Sequence, residues 1–457
     1  MKFNDIKLAG MLMAVAAGVA MTSCKDQPDA YEVAGGTPTI SYIRPAAYDS
    51  RDSLITSAAL GQSICIVGNN LTSVVKILFN DQSAVLNTSY MTNNTILLSI
   101  PKDLPGSVTN KIYFINKQAD TVSYDFVVTV PAPVIYSMSN EWADPGEEVT
   151  ILGDYFLDYE DTPLSLSFGE GYALPHDDMK ISKNSIVFTM PDDAPEELIN
   201  ITTAHGSTDA PFMYKDTRGM LFDFDTPCYT GTVLGNNGWH ARDIITDETA
   251  LSGNFLLMGN TAMDAAGGWN DGNFSFEYWA GDWADPENYA THPRLCDVAN
   301  FGDWTELNFK FEMYIPSTNP WAAAPMQVIF AGGDKIANNG SGVSDIYGIT
   351  LAGANNTFFH AQDGWPRALY MPWNTSKGVQ AYDTGDKWIT VTIPLSDFNL
   401  EWDGSAATGS FSSISDFASL TLFIVKGGYD GVDSKIPNGE DCTPIIKIDN
   451  IRVVPNN

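Results

Sequence analysis

Positive charge is what this sequence has least of. Its 24 Lys and Arg stand against 56 Asp and Glu, a formal net charge of −32. A field of that sign repels phosphate backbones and anionic membranes, so nucleic acid is a poor partner and none is expected. A neutral ligand is not repelled, and the acidity otherwise reads as a soluble surface. Histidine is also scarce. The five residues His176, His205, His240, His292 and His360 show no ligand-like spacing. The five cysteines, Cys24, Cys65, Cys228, Cys296 and Cys442, form no CxxC, which argues against zinc. Cys228 and Cys442 lie near the two ends of the last region; they could pair if those ends meet, or pack as core thiols. GxSxG, HExxH and ExDxxE are all missing. With 56 acids a search for paired carboxylates has no power, so the missing signatures are what point away from catalysis. Sustained helical periodicity is absent as well.

Long apolar runs are lacking except at the start. Lys2 and Lys7 precede the run Leu8–Ala20, about 13 residues, too short for the roughly 20 that span a bilayer. This is the pattern of a secretory signal, residues 1–23. The run closes on Met21-Thr22-Ser23-Cys24, which resembles the bacterial lipobox, where the cysteine is acylated and becomes the mature N-terminus. Lys25-Asp26-Gln27-Pro28-Asp29 resembles the short acidic signal that sends lipoproteins of the Bacteroidetes to the outer face of the outer membrane. Lipidation at Cys24, a polar tether over 24–36 and attachment to the membrane through acyl chains alone are therefore expected.

The next 180 residues or so contain an internal repeat. Pro38-Thr-Ile-Ser-Tyr-Ile, Gly61…Gly68, Lys76-Ile-Leu-Phe79 and a strand ending at Pro101 recur as Pro133-Val-Ile-Tyr-Ser-Met, Gly146…Gly153, Leu164-Ser-Leu-Ser-Phe168 and a strand ending at Pro191. The paired glycines are seven residues apart in both copies. Short alternating segments punctuated by Gly, Pro and Asn predict small β-sandwiches, and the glycines are expected to supply turn conformations at the ends of a strand. The pattern resembles the IPT/TIG immunoglobulin-like domain, which usually serves as a spacer. The expected boundaries are 37–131 and 132–216, with proline stiffening the joint at Pro131-Ala-Pro133 so that a stalk lifts the last domain from the membrane. Trp142, the only tryptophan in this half, reads as packing or interdomain contact.

Residues 217–457 hold ten of the eleven tryptophans. Leu307, Phe309, Phe311, Met313 and Ile315 alternate along one predicted strand, Lys387–Ile393 alternates likewise, and Leu420–Val425 is apolar throughout. The expected fold class is all-β: two tandem immunoglobulin-like sandwiches followed by a larger jelly-roll-type β-sandwich. Tryptophans beside Gly, Pro, Asn and Asp belong to loops: Gly267-Gly-Trp269, Tyr278-Trp-Ala-Gly-Asp-Trp283, Asn319-Pro-Trp321, Asp363-Gly-Trp365 through Trp373, and Glu401-Trp402. A sugar ring offers an apolar C–H face to a flat aromatic and a rim of hydroxyls to polar side chains. Asp223, Asp225 and Asp449 lie on the opening and closing strands, where a structural Ca²⁺ is conceivable, but the expectation is no metal and no cofactor.

This region resembles the C-terminal domain of type B surface glycan-binding proteins of Bacteroidetes polysaccharide-utilisation loci. The carrying residues are Leu221-Phe-Asp-Phe-Asp225, Pro320-Trp-Ala-Ala-Ala-Pro-Met-Gln-Val-Ile-Phe330, Tyr370-Met-Pro-Trp373, Trp388-Ile-Thr-Val-Thr-Ile-Pro-Leu395 and Ile448-Asp-Asn-Ile-Arg-Val-Val454. The resemblance implies a non-catalytic lipoprotein on the cell surface that binds a polysaccharide such as glucan, xyloglucan, mannan or xylan. Its partners would be a TonB-dependent outer-membrane transporter system and companion lipoproteins. The expected stacking residues are Trp321, Trp365, Tyr370 and Trp373, with Gln362, Asp363 and Arg367 for the hydroxyls and the stretch Trp269–Trp283 next in line. A divergent surface glycoside hydrolase and an adhesin for host glycans are the rival readings. The loop tryptophans favour carbohydrate over protein ligands, and adhesins tend to carry many more repeats.

Overall fold

The alternation read from the sequence becomes strands with one face in and one face out; Lys111–Asn116, for example, buries every second residue. The structure is a computed structural model describing residues 35–50, 52–282, 285, 288–333, 335–336, 357–359, 364–428 and 434–455. Cys24 lies outside them. The chain forms two compact units, one ending at Pro131 and one beginning at Ala132.

In the first unit, Thr39–Pro45, Ser63–Asn69 and Thr95–Ser99 form one antiparallel sheet. Val74–Phe79, Lys111–Asn116 and Thr121–Asp125 form most of the other. Ile64, Ile66, Ile77, Phe79, Ile112 and Phe114 fill the space between. The second unit opens with a sandwich of the same plan, built on Val134–Met138, Glu148–Asp154 and Ser185–Thr189 against Ser165–Phe168, Leu198–Thr203 and Gly206–Met213.

The two glycines of each repeat have different causes. Gly61 and Gly146 have φ of +75° and +88°, the turn role expected of them. Gly68 and Gly153 do not have positive φ. A Cβ on either would sit 2.0 Å from a backbone oxygen of the neighbouring strand, Thr39 or Val134 respectively. Each lies beside a register shift, between Ile40 and Tyr42 in one copy and Ile135 and Ser137 in the other. The second glycine therefore permits close strand approach at a bulge.

The rest of the second unit is a larger sandwich. One sheet holds Phe255–Gly259, Ile445–Pro455, Leu307–Tyr314 and Ile389–Pro394 as antiparallel neighbours, with the opening strand Met220–Phe222 paired to the closing one. The other sheet runs Ser275–Tyr278, Ser419–Ile424, Met326–Ala331, Ala368–Tyr370. Phe309, Phe311 and Met313 meet Phe276, Leu422, Val328 and Phe330 between them.

The polar face of Leu307–Tyr314 is buried too, because the preceding sandwich sits on it. Lys310 Nζ donates to Glu141 Oε1 at 2.6 Å, Arg452 Nη2 to Glu141 Oε2 at 3.0 Å, and Arg452 Nη1 to Glu312 Oε2 at 2.6 Å. Thr390 Oγ1 accepts from the Glu141 N–H at 2.7 Å, and the Thr390 N–H donates to the Ser139 carbonyl at 3.0 Å. Two acids and two bases, all essentially without solvent, balance one another across the joint. Burial pulls Lys310 down and pushes Glu312 up to about 7, whereas for Arg452 the two carboxylates outweigh burial and hold it above its ordinary range. Trp142 packs against Leu251, Phe255, Tyr314 and Trp388, with the Arg452 guanidinium 5.8 Å from its ring. The boundary expected near residue 216 thus falls inside one compact unit.

Asp449 lies fully buried beside this joint, one carboxylate oxygen accepting the Asn450 N–H at 2.8 Å and the other without a partner. Burial, reinforced by the Glu312, Asp225 and Asp223 carboxylates, pushes it up to about 9. A carboxyl raised in the folded state contributes stability at low pH that is lost as pH climbs from about 4, the ordinary aspartate value, to about 9. Asp449→Asn should therefore gain melting temperature relative to wild type progressively between pH 5 and pH 9. Parallel curves for the two proteins would contradict this assignment.

Candidate functional site

Stacking needs an accessible ring, and most of the tryptophans expected to provide one are inside. Trp321 and Trp373 are 0% exposed; their indole N–H groups donate to the carbonyls of Ala323 at 2.7 Å and Ala324 at 3.0 Å. Trp365, 7% exposed, donates to the Phe330 carbonyl at 2.7 Å and carries Lys335 Nζ 4.8 Å from its ring. Arg367 is buried, with Nη1 donating to Gln327 Oε1 at 2.9 Å and Nη2 to the Phe358 carbonyl. Tyr370 is half-buried against Phe311 and Trp321, and burial, then Tyr382, pushes its hydroxyl well up. Gln362 and Asp363 lie outside the described residues.

The expected platform is thus corrected to a packed cluster. Trp321, Tyr370 and Trp373 do come together around Ala323 and Ala324, but inside the sandwich. The physical reason is the indole itself: a loop whose bend presents a carbonyl to the indole N–H lets the whole ring leave water with no unpaired donor. Trp279 and Trp402 are buried as well, and Trp283 lies outside the described residues. Cys228 and Cys442 are both free thiols. Among the described residues no three His, Cys, Asp or Glu side chains gather as a group that could hold a metal ion.

Among the described tryptophans the exposed ones are Trp239, 53% exposed, and Trp269, 39% exposed. Both belong to the outward face of the second sheet. Register places Ser275 and Glu277 on one side with Phe423, Thr421 and Gln327, opposite the apolar side that carries Phe276, Leu422 and Val328. Glu277 Oε2 accepts the Trp239 N–H at 2.6 Å, and Gly238 is pressed so close that a Cβ there would meet the Glu277 Cβ at 2.2 Å. Burial holds the Glu277 carboxyl above its ordinary range although this N–H opposes the shift. His240 Nε2 lies 3.3 Å from Asp271 Oδ2, and Arg242 donates to the carbonyls of Gly272 and Asp271. Trp269 stands perpendicular to Phe423, centroids 4.6 Å apart, and to Phe359 at 5.1 Å. Its loop is pinned by the Lys426 N–H donating to the Gly267 carbonyl at 2.9 Å, with Gly267 at φ +62° against Ala324.

Two indoles held by backbone bonds and perpendicular rings, with an acid, an imidazole and a guanidinium beside them, suit a ligand with flat apolar faces and a hydroxyl rim. Glu277, buried and committed to a backbone N–H, orients Trp239. Trp269 carried the Gly–Trp signal in the sequence. Trp239 was missed although Asn236-Asn-Gly-Trp239 shows the same one.

A family model described as the surface glycan-binding protein B xyloglucan binding domain matches residues 214–455, and an IPT/TIG domain model matches 133–217. The crystal structure of surface glycan-binding protein PbSGBP-B from Prevotella bryantii is 58% identical, covering 93% of this chain and 100% of that chain, with a TM-score of 0.77. SGBP-B from a complex xyloglucan utilization locus in Bacteroides uniformis is 16% identical over 92% of this chain and 100% of that chain, TM-score 0.39. An IPT/TIG domain-containing protein of Bacteroides ovatus is 28% identical over 169 residues, 36% of this chain; the match spans about a third of that relative's length, 34%.

Proposed function

The chain belongs to the surface glycan-binding protein B family, and on that premise we propose that it captures a neutral β-glucan of the xyloglucan type on Trp239 and Trp269 at the bacterial surface. The observation that carries this is the pair of accessible indoles on one sheet face of the domain that the family model covers. The net charge of −32 supports a neutral glycan over an acidic one. The protein acts by binding, without bond cleavage, from an acyl anchor at Cys24, and passes chains to an outer-membrane TonB-dependent transporter and its companion lipoproteins.

Native gels containing xyloglucan, mixed-linkage glucan, glucomannan, xylan or polygalacturonate test this reading together with a reducing-end assay. Retardation in at least one neutral β-glucan, none in polygalacturonate and no new reducing ends is the expected result. Migration unchanged in every neutral glycan, or release of reducing ends, would overturn it. In cells carrying Cys24→Ala the binding activity should leave the membrane fraction; retention there would remove the anchor from the account.

A further inference from the structure

Each exposed indole has its own anchor. Trp239 is held through its backbone N–H by Glu277 Oε2 at 2.6 Å. Trp269 is held by the perpendicular rings of Phe423 and Phe359, and by its loop, where Gly267 accepts from the Lys426 N–H. The anchors stand on different strands, Glu277 on Ser275–Tyr278 and Phe423 on Ser419–Ile424. The sheet thus sets the coarse separation of the rings, and the loops that carry them set the rest.

A second set of contacts ties those two loops together. His240, the residue after Trp239, places Nε2 3.3 Å from Asp271 Oδ2. Arg242 donates from Nη1 to the Gly272 carbonyl at 3.1 Å and from Nη2 to the Asp271 carbonyl at 3.2 Å. Asp271 is two residues from Trp269, at most about 7 Å of backbone. The turn that receives these contacts, Asp271–Phe274, is itself fixed: Ser275 Oγ donates to the Asp271 carbonyl at 2.9 Å, and the Phe274 N–H to the Asn270 carbonyl at 3.0 Å. A guanidinium suits the position because its planar fork meets two neighbouring carbonyls at once, which a lysine ammonium does not. The carboxylates of Glu277, Asp243 and Asp271 supply its counter-charge. Both Nη groups are committed and Nε is buried, so Arg242 acts on a ligand through the loops it joins.

A chain lying on two rings binds as two linked contacts. The second contact is gained cheaply only if both rings already stand in the right register; loops that must be ordered on binding give up part of the affinity. On the reading of Trp239 and Trp269 as the glycan platform, we propose that Arg242, with the His240–Asp271 pair, is a positioning clamp that locks the two indoles in one register. The site then takes a single glycan chain lying across both rings, not two separate sugars.

The test is calorimetric titration of the full chain with xyloglucan polymer, taken to concentrations that measure the single-ring variants, with melting temperature on the same samples. Arg242→Gln should weaken binding roughly five-fold or more when both rings are present. In Trp239→Ala or Trp269→Ala it should cause no further loss, because only one ring is left to place. Asp271→Ala removes the partner of His240 but keeps the carbonyl; it should show the same dependence on both rings, and it carries the test if Arg242→Gln fails to fold. Equal losses with two rings or one would mean that these residues serve the glycan or the domain directly, and would overturn the clamp. Wild-type affinity in both Arg242→Gln and Asp271→Ala would overturn it too. Either result leaves the proposed function standing. Single-ring variants that bind as tightly as wild type would remove the platform and the clamp with it, and an absence of binding to the wild-type chain would overturn both the clamp and the proposed function.

Discussion

Glu141→Ala is expected to cost the second unit about 3–5 kcal/mol of stability, the usual penalty for breaking a buried ion pair from one side. Glu141 holds Lys310 and Arg452 at once. Its removal leaves two buried cations facing Glu312 alone, a net positive charge where water does not reach. The backbone bonds from Glu141 N–H to Thr390 and from Thr390 N–H to Ser139 hold the same edge and cannot compensate for the charge. Chemical denaturation of the full chain should show the transition of the second unit moved to lower denaturant. The double change Glu141→Gln/Lys310→Met removes one charge of each sign and should cost clearly less than Glu141→Ala, because no unpaired ion is left behind. Equal penalties would mean that packing, and not charge balance, holds the joint.

That joint also marks where sequence reasoning stops. The alternation of Leu307, Phe309, Phe311 and Met313 with Asn308, Lys310 and Glu312 is legible as a strand with one apolar face, and it is one. The polar face reads as solvent-facing from the strand alone, and only the neighbouring sandwich makes it an interior. Trp142 was identified as a packing or interdomain residue for the simple reason that it stood alone among short alternating strands. The repeat was fully legible, yet only the structure separates the turn role of Gly61 and Gly146 from the close-approach role of Gly68 and Gly153.

The proposed stacking residues were legible in kind and not in place. Glycine, proline and asparagine around a tryptophan signal a loop, and Trp321, Trp365 and Trp373 follow such residues, as do Trp239 and Trp269. What separates the two sets is burial: Trp321, Trp373 and Trp365 lie inside the sandwich with their indole N–H groups on the carbonyls of Ala323, Ala324 and Phe330, whereas Trp239 and Trp269 keep part of the ring in water. That depends on the path of strands distant in sequence, which local composition does not encode.

The most direct test of the account is paired calorimetry of Trp239→Ala and Trp269→Ala, measuring affinity for the retained glycan and melting temperature on the same samples. Loss of a stacking ring is expected to cost about 1–3 kcal/mol, by analogy with aromatic–base stacking, which is roughly five- to a hundred-fold in affinity. Both rings are partly in water, so the melting temperature should stay close to wild type. Trp373→Ala is the contrasting control, since truncating a fully buried tryptophan should cost about 3–5 kcal/mol of stability. Selective loss of affinity in Trp239→Ala and Trp269→Ala is the predicted result. Wild-type affinity in both variants, with their melting temperatures unchanged, would contradict it and place the glycan elsewhere on the domain.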